Sequence, residues 1–264
     1  MLEAPLRLLS PEPQRVGYPL FVFLPGMDGT GQLLQTQLSS LYQAFNIRCL
    51  ALSAQNNWGL AQLADRVISL LAAETAGQSA PIYLCGESFG GCLALQVAVK
   101  APQLIDRLLL VNPASSFRRL PWMRWGANIS TYLPSELHTL SMQALMLFLI
   151  APHRVAPAER QALWQAMTSV PSKTASQRLD MLKQFDVDQL PLAAIQQPTL
   201  LIAGQADRLL PSVAEIQRLA QILPDAQTLT LPDSGHACLL ETEVDLYELM
   251  RTAQFLPREP VSSG

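Results

Sequence analysis

The stretch that most limits what this chain can become is Gly86-Glu87-Ser88-Phe89-Gly90. It lies between the apolar run Ile82 to Cys85 and a run of small and apolar residues from Gly91 to Val99. The first run reads as a buried strand and the second as a helix. A chain that passes abruptly from strand to helix needs a strained backbone at the turn. Two flanking glycines leave room for it, because a Cβ at either would strike the neighbouring strand or helix. Such a turn lifts the Ser88 hydroxyl clear of the sheet and aims the free N–H groups of the helix N-terminus at the same spot. A serine nucleophile requires that setting. With glycine near ~7% of residues, the bare G-x-S-x-G pattern falls by chance in roughly one chain in ten of this size. The flanking strand and helix, and the partners that follow in chain order, therefore carry the argument.

Around this turn the pattern alternates. Leu6 to Leu9 reads as a short edge strand, and Leu20 to Leu24 as a buried strand ended by Pro25-Gly26. The glycine-rich Met27-Asp28-Gly29-Thr30-Gly31 follows, then a helix over about Gln32 to Gln43 and a strand near Ile47 to Leu52. Leu60, Leu63, Ala64, Val67, Ile68, Leu71 and Ala72 recur at helical spacing. Later strands are expected at Leu108 to Val111, Thr199 to Ala203 and Gln227 to Leu231, with a helix over Val213 to Leu223. Strands alternating with helices predict an α/β fold: a mostly parallel sheet with helices on both faces. Sites in such sheets form at the C-terminal ends of the strands. Residues 113–193 break the alternation with helix-like pieces and prolines. They read as a helical lid inserted into a core made of 1–112 and 194–264.

A serine on such a turn needs a histidine base and an acid to orient it, following it in the order acid, then histidine. Of three histidines, His138 and His153 fall in the lid and read as ordinary residues. His236 follows the last strand, where a base can reach the turn. Asp207 follows the strand at 199–203 and is placed to accept the imidazole N–H. Asp233, three residues before His236, reads as a cap of its own turn. Glu87 reads as a solvated or hydrogen-bonded neighbour of the serine. For a tetrahedral oxyanion, the backbone N–H groups of Phe89 and Met27 are the expected donors. No metal-ligand spacing and no phosphate-binding glycine motif occurs, so no cofactor and no metal are expected.

Composition narrows the class. Hydrophobic residues make up 49% of the chain and charged ones 15%, enough for a large core. A net charge of −3 offers no case for nucleic acid. Met1-Leu2-Glu3-Ala4-Pro5 lacks the look of a signal peptide, and no apolar run approaches a membrane span. The four cysteines form no C-x-x-C pair and read as buried, reduced thiols. The expectation is a cytoplasmic protein.

These motifs resemble a known family. Phe23 to Gly31, Pro81 to Leu95, Val111-Asn112-Pro113-Ala114-Ser115-Ser116-Phe117, Gly204 to Pro211 and Ser234-Gly235-His236 are similar to the α/β-hydrolase module of the phytyl ester synthase and diacylglycerol acyltransferase-like proteins of plants and cyanobacteria. The resemblance implies the α/β-hydrolase fold and acyl chemistry on lipid-like esters or thioesters, with Ser88, Asp207 and His236 as the triad. Many relatives carry a second domain with an H-x-x-x-x-D motif. Here the residues five beyond His138, His153 and His236 are Gln143, Ala158 and Glu241. No such domain is expected, and acyl transfer would use the serine site.

The resulting reading is a serine hydrolase of acyl esters or thioesters. Its rivals are an acyltransferase to a long-chain alcohol and a non-catalytic, ligand-binding relative. In the lid, Leu140, Ala144, Leu147 and Phe148 recur at helical spacing beside Met142 and Met146. Trp122, Met142, Met146 and Phe148 are the expected substrate-binding residues of an acyl channel. Residues 113–193 also hold eight Lys or Arg against five Asp or Glu. Arg118, Arg119 and Arg124 beside tryptophans suggest docking on an acyl carrier protein or, peripherally, on a membrane surface.

Overall fold

The computed structural model describes residues 6–52, 58–77, 80–121 and 143–256. Its strands are β1 (Arg7–Leu9), β2 (Leu20–Leu24), β3 (Asn46–Ala51), β4 (Ile82–Glu87), β5 (Arg107–Val111), β6 (Thr199–Gly204) and β7 (Ala226–Leu231). Its α-helices are α1 (Leu38–Leu41), α2 (Leu60–Glu74), α3 (Phe89–Lys100), α4 (143–149), α5 (Pro157–Ser169), α6 (Ser172–Gln184), α7 (Ser212–Ala220) and α8 (Leu246–Thr252).

The strands make one sheet in the order β1-β3-β2-β4-β5-β6-β7. Every neighbouring pair is parallel except β1 with β3. Central strands buried on both faces need apolar side chains on both, which explains their unbroken apolar runs. In β2, Val22 and Leu24 enter the core shared with α2, α3 and α7, while Phe21 and Phe23 enter the one shared with α1 and α8. From α2, Leu60, Leu63, Ala64, Val67 and Leu71 form the buried stripe. Each such leucine contributes about 1.5–3 kcal/mol on burial. The Gln62 side chain accepts from the Gly59 N–H at 3.1 Å and closes the start of that helix. The two edge strands expose polar residues: Arg7 in β1, and Gln227, Thr228 and Thr230 in β7.

The expected helix over Gln32 to Gln43 is instead a 3-10 turn, Gln32–Gln37, running into the single turn of α1. Side chains pull the segment inward: Gln37 Nε2 donates to the carbonyls of Leu239 and Val244, each at 2.8 Å. Between β5 and β6 the described chain forms helices and 3-10 turns and no strand. It returns to the sheet's end through one antiparallel bridge, Val155 to Glu241. Among the described residues, no helix is long and apolar enough to cross a membrane.

The chain leaves β2 for β3 on one side and then crosses back to β4 on the other. The loops after β2 and β4 therefore part at the C-terminal edge of the sheet, where a topological switch opens a crevice.

Candidate active site

Ser88 occupies the sharp turn between β4 and α3 with φ 54° and ψ −115°. For a residue other than glycine such a backbone costs about 1–3 kcal/mol and must be held from outside. Ser88 N–H donates to the Val111 carbonyl at 3.0 Å. The Ser88 carbonyl accepts from Gly91 at 2.9 Å and Ala114 at 3.0 Å. The flanking glycines are forced by contact. A Cβ on Gly86 would stand 2.3 Å from the Gly90 carbonyl oxygen, and one on Gly90 would stand 2.0 Å from that of Leu24.

The loop after β7 carries His236 to this turn. His236 Nε2 lies 2.8 Å from Ser88 Oγ, and Nδ1 lies 2.7 Å from Asp207 Oδ2. Asp207 Oδ1 accepts from the N–H groups of Leu209 (2.8 Å) and Leu210 (3.0 Å), and Oδ2 also accepts from the Ser212 hydroxyl. Burial alone would raise the Asp207 carboxyl. The His236 charge and the hydrogen bonds from His236, Ser212 and Leu210 outweigh burial and leave its pKa below the ordinary aspartate value. For His236, burial opposes the charged form, but Asp207 and then Glu87 outweigh it, so its pKa is raised. Asp233 is exposed on the preceding turn and takes no part in this chain of bonds. A hydroxyl bonded to an imidazole that is itself bonded to a fixed carboxylate can lose its proton as it attacks a carbonyl. The nearby thiols offer no rival nucleophile, because burial holds Cys85, Cys92 and Cys238 well above the ordinary thiol range.

The oxyanion donors proposed from sequence sit on the two sides of the crevice. Phe89 is the first residue of α3, and Met27 belongs to a turn in which Gly29 N–H donates to the Gly26 carbonyl at 3.1 Å. Among the described residues, neither the Phe89 nor the Met27 N–H is given to a protein acceptor. A Cβ on Gly26 would lie 3.7 Å from Ser88 Cβ, so the turn closes directly over the serine.

Two residues that hold this geometry escaped the sequence reading as such, and a third, Glu87, was read differently. Asn112, at φ 43°, follows β5 and is fully buried. Its Nδ2 donates to the carbonyls of His236 (2.6 Å) and Gly235 (3.2 Å), and its Oδ1 accepts from Gly204 N–H at 2.9 Å. One side chain thus ties the loop of Asp207 to the loop of His236. An asparagine after a strand and before proline was its only local signal. Glu241, buried, accepts from Gly235 N–H (2.8 Å), Ser234 Oγ (2.8 Å) and Arg154 Nε (2.7 Å). Nothing local marked it. Glu87 is a correction. It is only 8% exposed, and burial pushes its carboxyl up to about 7, with His236 opposing and Asp28 assisting. Its side chain is mostly withdrawn from water, because it ends a strand buried on both faces, and among the described residues it accepts no side-chain hydrogen bond.

The lid expectations fare unevenly. Trp122, Met142, Arg124, Leu140 and His138 lie outside the described residues. Met146 packs, half-buried, against the cluster of Ile150, Val155, Leu163, Ala237 and Leu240. Phe148 is 50% exposed on α4, so the structure does not enclose it in a channel. The C-terminal end of α4 does reach the site, since Ala237 N–H donates to the Leu149 carbonyl at 2.8 Å. Arg118 pairs with Asp186, and Arg119 pairs with Glu215 and Asp188. Both are paired with the protein's own carboxylates while staying partly exposed. Opposite charges brought together by the turn after β5 account for it.

Comparison with known proteins agrees with this fold. The model of the alpha/beta hydrolase family matches residues 21–248. Phytyl ester synthase 1, chloroplastic, of Arabidopsis thaliana is 32% identical over 257 residues, which are 88% of this chain and 36% of that protein. Phytyl ester synthase 2, chloroplastic, of the same plant is 27% identical, over 93% of this chain and 39% of that protein. The chain thus spans little more than a third of the length of these curated relatives. Among solved structures, a hydrolase from Oleispira antarctica superposes with a TM-score of 0.77 at 15% identity, covering 94% of this chain and 93% of that one.

Proposed function

The chain belongs to the α/β-hydrolase family, and from that premise we propose that it is a serine hydrolase of acyl esters or thioesters. One observation carries the reading: the unbroken chain Asp207–His236–Ser88, with contacts of 2.7 and 2.8 Å. In the first half-reaction Ser88 Oγ attacks the acyl carbonyl while His236 Nε2 takes its proton. The oxyanion is met by the N–H groups of Met27 and Phe89. His236, its charge stabilised by Asp207, returns the proton to the departing alcohol or thiol. In the second half-reaction His236 takes a proton from water, hydroxide attacks the acyl-enzyme, and Ser88 leaves with the proton back on its oxygen. Residues 113–193 act as a lid over this site. Leu147 and Phe148, exposed on the helix that abuts the His236 loop, support a preference for apolar acyl groups.

A fluorophosphonate that labels the wild-type chain and not Ser88→Ala is the expected result. Asp207→Asn should keep the label site but lower kcat by about 10⁴-fold, because the imidazole loses its orienting acceptor. Ester hydrolysis by Ser88→Ala at the wild-type rate sinks the reading.

The similarity to phytyl ester synthases favours a second outcome of the same acyl-enzyme, transfer to a long-chain alcohol in place of water. One labelled acyl donor, supplied with and without phytol, separates the two. A labelled ester appearing only with the alcohol marks transfer, and labelled free acid in both arms marks hydrolysis.

A further inference from the structure

Arg178 stands on α6, 151 residues along the chain from Met27, yet its guanidinium is built into the turn after β2. The residue is 5% exposed. Its Nη1 donates to two successive carbonyls, Met27 at 2.6 Å and Asp28 at 2.9 Å. The fit is close from the other side too. A Cβ on Gly29, at φ +67°, would stand 2.6 Å from Nη2 and 2.7 Å from Nη1, so the guanidinium packs directly against this glycine.

We propose that Arg178 is the positioning residue of the oxyanion hole, acting through the turn that carries the Met27 N–H; this rests on the serine-hydrolase reading above. A turn with glycines at 26, 29 and 31 has wide backbone freedom, whereas an oxyanion donor stabilises charge only if it is aimed in advance. The Met27 N–H shares its peptide with the Gly26 carbonyl, which accepts from Gly29 N–H at 3.1 Å, and Arg178 fixes the next two carbonyls of the same turn, so the turn that carries the Met27 N–H is held from both its ends beside Ser88. Bonds from a cation to a carbonyl are roughly twice as strong as neutral ones, and they draw electron density from the turn that must meet an anion. The charge has a second use. Asp28 Oδ1 lies as close to a Gly26 Cβ position, 3.7 Å, as Ser88 Cβ does. That carboxylate opposes an oxyanion beside it. Arg178 offsets it: burial lowers the pKa of the guanidinium, the Asp28 charge acts against that, and arginine stays cationic at neutral pH. A helix of the segment between β5 and β6 thereby sets the geometry of the chemistry on the sheet.

The test compares Arg178→Ala, Arg178→Lys and wild type with p-nitrophenyl butyrate as substrate and an alkyl trifluoromethyl ketone as oxyanion-forming inhibitor. The expected loss in Arg178→Ala is about 10- to 100-fold in kcat, below the 10²- to 10³-fold of deleting a donor outright, with KM within twofold. Inhibitor affinity should fall by the same factor as kcat, and Arg178→Lys, which keeps the charge and can reach one carbonyl, should recover part of both. Should Arg178→Ala fail to fold, the lysine variant decides alone: it should show a smaller kcat loss with unchanged KM and a matching loss of inhibitor affinity. An unchanged kcat, a rise in KM alone, or a lower kcat with undiminished inhibitor affinity overturns the inference while leaving the serine mechanism standing. Hydrolysis by Ser88→Ala at the wild-type rate removes the mechanism and this inference together.

Discussion

At Gly86 and Gly90 the backbone of one element touches that of the next, and a methyl group would lie 2.3 Å and 2.0 Å from carbonyl oxygens. On α4, by contrast, Leu147 and Phe148 are 58% and 50% exposed although both are large and apolar. The two regions meet at the His236 loop, where α4 ends against Ala237. The difference teaches a division of labour. Close packing at the strand ends removes every alternative backbone path, so the serine, histidine and aspartate can be held to a few tenths of an ångström. A loosely packed apolar helix holds no such geometry. Substitution there alters what approaches the site, not the chemistry within it.

Breaking the comparison from the tight side should give the largest effect on stability. Gly90→Ala sets a methyl group against the Leu24 carbonyl, which belongs to a central strand and cannot move aside. A loss on the order of 4 kcal/mol or more is expected, read as a collapse of the urea midpoint or of soluble yield. A variant with a wild-type midpoint contradicts the contact. Glu87→Gln comes next, and its effect depends on pH. The folded-state pKa of about 7 lies above the ordinary value near ~4.3, so the stability linked to this carboxyl is fully present below ~4.3 and lost as pH rises through about 7. The glutamine variant should match wild type near pH 4 and exceed it near pH 8 by up to about 3.5 kcal/mol, at 1.36 kcal/mol per pKa unit. Its rate should also fall away at lower pH than that of wild type, since the Glu87 charge helps raise the His236 pKa. Equal unfolding midpoints of the two proteins at pH 8 contradict this. The smallest effect is expected on the loose side. Leu147→Ser and Phe148→Ser should shift stability by less than about 0.5 kcal/mol, yet lower kcat/KM for octanoyl esters more than for acetyl esters. A uniform loss across chain lengths denies α4 a part in acyl selection.

Much of this molecule could be read from residue order, and where it could not the reason is specific. Runs such as Leu20 to Leu24 and Leu108 to Val111 announce buried strands because both faces of a central strand must be apolar. The Gln32 to Gln43 segment misled, because Gln37 turns inward to bond carbonyls of residues 239 and 244, and no local pattern registers that pull. Phe148 shows a different limit. Helical spacing marks an apolar face without saying what covers it. Which carboxylates Arg118 and Arg119 meet was not legible, because those partners at 186, 188 and 215 are remote in the chain.

By itself the sequence determined the strand-turn-helix around Ser88, the chain order of Asp207 and His236, and the alternation that makes a parallel sheet. These follow from local sterics and from the period of apolar residues, which act over a few positions. Only the tertiary structure decided the work of Asn112, Glu241 and Arg178. Asn112 bonds Gly204 at a separation of 92 residues and His236 at 124, and Arg178 bonds Met27 at 151. Glu241 bonds Gly235 only six residues away, yet its third partner, Arg154, is 87 residues distant. A buried polar side chain takes its role from whichever unsatisfied donors and acceptors the packed chain brings against it, and that meeting does not exist until the sheet has closed its order.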